Sequence, residues 1–147
     1  MKLKQISIFL ENSPGRLYET TKALGDAGIN LRALTLSEAT DYGVLRLLVS
    51  NISKARQIMM EKQFPARIDE VVAVEIKDQA GSLAAVLEPL MEANISVRYM
   101  YAFSGFTDNR AVMIFCFSDV DKAIELLQKT GQTLLTAKAF GMLDTVE

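Results

Sequence analysis

Two short stretches carry the residue types that could hold a small charged molecule. The first is Asn12-Ser13-Pro14-Gly15-Arg16-Leu17 and the second is Asp78-Gln79-Ala80-Gly81-Ser82-Leu83. Each follows an apolar alternation and precedes a helical pattern, so each is expected to be a strand-to-helix turn. The first turn of a helix presents backbone N–H groups without intrahelical partners and a partial positive charge, which suits a carboxylate or phosphate. Glycine lets a ligand approach that backbone closely, and Pro14 surrenders a donor that a first helical turn does not need. Asn12 or Asp78, at the end of the strand, could accept from an ammonium group. An anion cradle beside an ammonium acceptor matches a zwitterion such as an amino acid. The structural alternative is plain: Asn-Ser-Pro-Gly is a common turn, and Asn or Ser at this place caps a helix.

The rest of the chemistry is narrowed by what the chain lacks. Its 147 residues contain no His and one Cys. The commonest general base and transition-metal ligand is therefore missing, and one thiol cannot make a two-cysteine metal or redox site. Cys116 sits in the apolar run AVMIFCFS and reads as a core residue. With no disulfide framework, no signal peptide and no apolar run long enough to span a bilayer, a cytoplasmic protein without a membrane partner is expected. The formal charge of −2, with scattered Lys and Arg, argues against a nucleic-acid partner. Neither GxxxxGK[ST] nor GxGxxG occurs. Glu75 and Asp78 do not make a paired-acid site, and Asp119 and Asp121 read as helix-cap chemistry. No cofactor and no catalytic residue are expected.

The elements that must position the two loops come from an internal repeat. Gly15 and Gly81 stand 66 residues apart, and at that offset Asn12 meets Asp78, Leu17 meets Leu83, Ala27 meets Ala93 and Ile29 meets Ile95. Further on, SNISKARQIM matches SDVDKAIELL at an offset of 68, which implies a small insertion around 103–109. Ile6, Ile8 and Leu10 alternate on one face of a first strand, as do Val72, Val74 and Ile76 in the second copy. Helical spacing follows, closed by Gly28 and by Asn94 in left-handed positions. Two strands come next in each half: INLRALTL and GVLRLLV, joined by turn residues Asp41-Tyr42-Gly43, then ISVRYMYAF and RAVMIFCF. Second helices are expected to start near Ser53 and near Ser118 or Asp119, with last strands in ARIDEVV and LLTAKAF. Pro89 should kink or strain its helix.

The order is β-α-β-β-α-β twice: an α+β fold of two ferredoxin-like units, residues 1–69 and 70–147, each an antiparallel sheet with its helices on one face. Strand-like sequence runs through RIDEVVAVEIK without a flexible linker. Apolar residues on both faces of the strands suggest that the two halves pack tightly and that two chains pair through the remaining sheet faces. Tyr99, Tyr101 and Phe103 on one strand could imitate an RNA-stacking platform, against which the charge speaks.

ENSPGRLYETTKALGDAGINLRALTL resembles the opening of an ACT domain: strand, Asp/Asn-x-Pro-Gly-x-Leu, helix, Gly-Ile-Asn, second strand. KDQAGSLAAVLEPLMEANISVRYMYAF resembles a second copy, with Ala80 in place of the proline. The resemblance covers nearly the whole chain. It implies a non-catalytic allosteric sensor in which the ligand, most often an amino acid, lies where two ACT units meet side by side. Carried onto this sequence, backbone N–H groups near Gly15–Leu17 or Gly81–Leu83 would take the carboxylate and Asn12 or Asp78 the ammonium. Asn30 and Leu31, or Ile95 and Ser96, at the starts of the second strands would select the side chain. The alternative that it leaves open is a regulatory interaction subunit of an amino-acid biosynthetic enzyme, of the acetolactate-synthase small-subunit kind, with weak ligand sites.

Overall fold

A computed structural model describes residues 1–39, 41–104 and 108–143. The chain forms two compact units. The first consists of Lys4–Asp69 together with the C-terminal segment from Ala137; the second consists of Met1–Leu3 and Glu70–Thr136. Each terminus thus belongs to the unit built mainly from the other half of the sequence.

In the first unit the elements run β1 (Leu3–Glu11), α1 (Arg16–Asp26), β2 (Leu31–Glu38), β3 (Tyr42–Val49) and α2 (Ile52–Glu61), then the start of β4 (Ala66–Lys77). Strand β3 lies between β1 and β2, antiparallel to both, with Ile8 opposite Leu45 and Leu36 opposite the same residue from the other side. On its other side β1 meets the approach to β4, where the Phe9 N–H donates to the Pro65 carbonyl (2.9 Å). Ile6, Ile8 and Leu10 bury against Leu24 of α1 and Ala55 and Met59 of α2, as the two-residue and three-to-four-residue spacings require.

The second unit repeats the order from the rest of β4: α3 (Ser82–Glu92), β5 (Val97–Ser104), β6 (Arg110–Phe117), α4 (Val120–Lys129) and β7 (Thr133–Leu135). Its strand order is β7-β4-β6-β5, the ferredoxin-like arrangement. Val72, Val74 and Ile76 pack with Val86, Leu90, Ala123 and Leu127. Cys116 is buried. Gly28 and Asn94 do adopt positive φ, +75° and +59°, where the first helices of the two units end.

Several local expectations are corrected. The cap of α2 is Asn51, not Ser53: its side-chain oxygen accepts from the Lys54 N–H at 3.1 Å. Asp119, not Ser118, caps α4; the Ser118 hydroxyl instead accepts from the Ser96 N–H. Tyr42 and Gly43 already belong to β3. Helix α3 runs through Pro89 to Glu92, losing only the donor to the carbonyl four residues before. LLTAKAF is strand only to Leu135; Ala137–Phe140 turns into a 3-10 helix. Of the expected insertion at 103–109, residues 105–107 lie outside the described residues.

Val44, Leu48, Ala73, Val112 and Ile114, on the strands' other faces, are buried. Tyr99, Tyr101 and Phe103 are half-buried.

Candidate functional site

The two loops share one backbone. In the first, the Ser13 N–H donates to Glu11 O, Arg16 N–H to Ser13 O and Glu19 N–H to Gly15 O. In the second, Gln79 donates to Lys77, Ser82 to Gln79 and Ala85 to Gly81, the same pattern 66 residues on. Gly15 and Gly81 hold φ of +90° and +88°, so the proline-to-alanine change at position 80 leaves the turn intact. Each glycine is itself the N-cap of its helix, and neither α1 nor α3 has a side-chain cap. Asn12, Ser13, Asp78 and Gln79 therefore do not cap these helices. The second helix of each unit is capped by a side chain and the first helix is not, which leaves first-turn N–H groups without a side-chain partner beside a glycine.

In the first unit these donors border a cavity of about 460 Å³. Asn12, Ser13, Pro14, Arg16 and Leu17 form its loop side, and Leu36, Ser37 and Glu38 at the end of β2 form the opposite wall. Leu10 and Gly43 form its floor. Gly43 is the residue that sequence reasoning placed in a turn. It sits in β3 opposite Leu10 and Glu38. A Cβ there would lie 3.4 Å from Leu36 Cδ1, 3.6 Å from Ser37 O and 3.9 Å from Asn12 Oδ1. Its backbone does not need glycine for a positive φ, so the missing side chain serves space. No sequence signal distinguishes this from turn chemistry.

Arg16 is the cation of a cavity that Glu11 and Glu38 also line. Its guanidinium bonds to Glu19 (3.3 Å) and Glu11 (3.5 Å) and lies 5.8 Å from the centre of the Phe64 ring. These exposed pairs are weak individually, but three contacts fix the direction of the side chain. The position corresponds to Ser82 in the second unit. There Ser82 joins Lys77, Arg110 and Thr133 in lining a smaller cleft of about 230 Å³.

Asn30 and Leu31 are not brought to the first loop within the unit. They begin β2, whereas the loop faces its end, roughly 20 Å away at the rise of a strand. Asn30 exchanges hydrogen bonds with Ser50: Asn30 N–H to Ser50 Oγ and Ser50 N–H to Asn30 O, both 2.9 Å. Ser96 and Ser118 do the same in the second unit, and Ile95 is buried in its core. Among the described residues no three His, Cys, Asp or Glu side chains cluster to hold a metal ion. No helix among them is long and apolar enough to cross a membrane.

A glycine-capped helix beside an acceptor on the preceding strand, built twice in a ferredoxin-like frame, agrees with a family model described as an ACT domain pair, which matches residues 1–141. The chain belongs to the ACT domain pair family. A crystal structure of protein BT0572 from Bacteroides thetaiotaomicron is 38% identical, covering 97% of this chain and 98% of that one, with a TM-score of 0.90. The ACT fold of this chain is also similar to the ligand-free regulatory subunit of aspartate kinase from Thermus thermophilus, at 12% identity and a TM-score of 0.59 over 87% of this chain and 92% of that one. Aspartokinase alpha and beta subunits match at 18% identity and a TM-score of 0.55, covering 94% and 93%. No curated protein sequence matches.

Proposed function

We propose that this ACT pair is a non-catalytic regulator that binds a free amino acid at its strand-to-helix loops. The observation that carries the reading is the uncapped first turn behind a left-handed glycine, repeated in both units and opening in the first onto a cavity with room for an amino acid. The ligand carboxylate takes the N–H groups near Gly15–Leu17, or Gly81–Leu83 in the second unit. Asn12, or Asp78, takes the ammonium. Leu10, Leu17 and Leu36 receive the side chain. The Glu11 carboxylate is paired with Arg16 at 3.5 Å.

The site is completed by a second copy of the chain. Strand β2 ends the strand order and so offers a free hydrogen-bonding edge. Leu17, Leu34 and Leu36 beside that edge are 41%, 56% and 49% exposed. The sequence LRALTLSE is self-complementary in an antiparallel pair centred on Thr35: Leu34 falls opposite Leu36, and Arg32 opposite Glu38. That register carries Leu31 of the second copy to Ala39, at the mouth of the cavity, and brings Asn30 with it. Asn30 and Leu31 then select the ligand across the pair. The same exposed leucines also favour a second reading, an interaction subunit that presents this edge to a metabolic enzyme.

Thermal unfolding of the purified chain against each of the twenty amino acids separates the two. At a hundredfold excess over its dissociation constant a ligand adds about 2.7 kcal/mol, roughly 5–10 °C for a chain of this size. One amino acid or a related set raising the midpoint supports the sensor. No shift with any of them refutes it and leaves the interaction subunit.

A further inference from the structure

The C-terminal segment does not end the second repeat in the way that its counterpart ends the first. After β7 a single residue, Thr136, leads into the 3-10 helix Ala137–Phe140, which belongs to the first unit. Phe140 and Met142 are buried, at 2% and 8% exposure. The Phe140 carbonyl accepts from Arg32 Nε. Gly141 follows at φ +64°, and a Cβ on it would stand 3.4 Å from three atoms of the Arg32 guanidinium. The Leu143 N–H then donates to Ser50 O at 2.9 Å, and Ser50 is the residue that exchanges hydrogen bonds with Asn30. The strap from Ala137 to Leu143 therefore holds three consecutive features of β2: Asn30 through Ser50, Leu31 between them, and Arg32 directly.

Arg32 is also where β2 is irregular. The pairing with β3 shifts between Leu31 and Ala33, so Arg32 occupies a bulge. A bulge re-aims a side chain and would by itself leave it loosely directed. The strap removes that freedom: Nε is committed to Phe140 O, and the plane of the guanidinium lies against Gly141. A planar guanidinium held through Nε still presents its two terminal amines in a fixed direction.

We infer that the C-terminal strap is a positioning device for self-association: it holds Arg32 and the start of β2 in the conformation that receives Glu38 of a second copy, and its release loosens the pair. This rests on the β2-edge reading above.

The test uses the full-length chain and two substitutions. Phe140→Ala empties the strap's buried anchor and keeps the backbone carbonyl that Arg32 reaches. Leu36→Lys strikes the proposed edge directly. Hydrogen exchange at the Leu143 amide reports whether the strap is seated, and sedimentation equilibrium gives the dimer dissociation constant. The expected result is exchange at Leu143 at least tenfold faster in Phe140→Ala, with a dimer constant raised about tenfold or more and an unchanged circular-dichroism spectrum. A dimer weakened by Leu36→Lys but untouched by an unseated strap overturns the strap inference alone. A chain that is monomeric, or a dimer indifferent to both substitutions, overturns the edge reading and the strap with it. Should Phe140→Ala fail to fold, Gly141→Val makes the same test, since a β-branched residue at φ +64° against the guanidinium unseats the strap locally.

Discussion

Replacing Gly43 by valine tests the first unit's cavity more cleanly than replacing the loop glycines. At Gly15 a new Cβ would meet nothing within 4 Å, but φ is +90°. A side chain there strains the backbone by roughly 1–2 kcal/mol, so lost binding and a distorted turn would come together. Gly43 is the opposite case. Its backbone is that of a strand, paired with Leu10 on one side and Glu38 on the other, and valine suits such a position better than glycine does. Its Cβ fits at ordinary contact distance, 3.4 Å from Leu36 Cδ1 and 3.9 Å from Asn12 Oδ1. The two methyl groups reach about 1.5 Å further, toward the Asn12 side chain to which the proposed reading assigns the ligand ammonium. Excluding that group from Asn12 forfeits a hydrogen bond to a charged partner, about 1.5–3 kcal/mol, or roughly 10–150-fold in affinity. Calorimetric titration with the amino acid that raises the unfolding midpoint measures this, and Gly43→Ala should fall between wild type and valine. A folded Gly43→Val protein that binds with the wild-type constant would refute the placement of the ligand in this cavity.

Three further outcomes follow from the caps and from one charge. Asn51→Ala removes the cap of α2 and should cost about 1 kcal/mol, a midpoint fall of roughly 2–4 °C without loss of binding. Asn12→Ala, which caps nothing, should leave the midpoint of the free protein in place and weaken the ligand; the two melting curves and titrations together check the assignment. Lys2 reaches Asp121 at 2.8 Å and Glu70 at 3.4 Å. Its hydrogen bond to Asp121, with smaller help from Glu70, raises its pKa above the ordinary 10.5. A lysine raised on folding contributes stability in full below its unfolded value and loses it as pH climbs through the folded one. Wild type and Lys2→Met should therefore differ by the same amount from pH 6 to 9 and converge only above about 10.5, as measured by urea unfolding across that range.

The repeat, the two kinds of element and the two loops were legible because their causes are local. Period-two alternation placed Ile6, Ile8 and Leu10 on one face whatever they packed against, and Gly15, Gly28 and Gly81 were demanded by backbone angles that only neighbouring residues set. Caps were less legible. Asn51 and Ser53, or Ser118 and Asp119, are equally good acceptors in sequence, and which one meets the third N–H of the helix depends on where the preceding strand releases the chain. The two capping candidates in the first loop, Asn12 and Ser13, proved not to cap at all, because a left-handed Gly15 starts α1 after both of them.

By itself the sequence determined the two ACT units, the order of their strands and helices, and the paired glycine turns, since periodicity and backbone sterics act over a few residues. The tertiary structure decided what distant residues do for one another. It made Gly43 a cavity floor, because Leu10, Asn12 and Leu36 converge there from three separate elements. It left Leu34 and Leu36 exposed on an edge while equally apolar Leu45 and Leu47 disappeared into the core, because burial depends on which neighbour a strand acquires. It also carried the C-terminal segment to Arg32, more than a hundred residues away in the chain, where only folding could bring the Phe140 carbonyl within reach of the guanidinium.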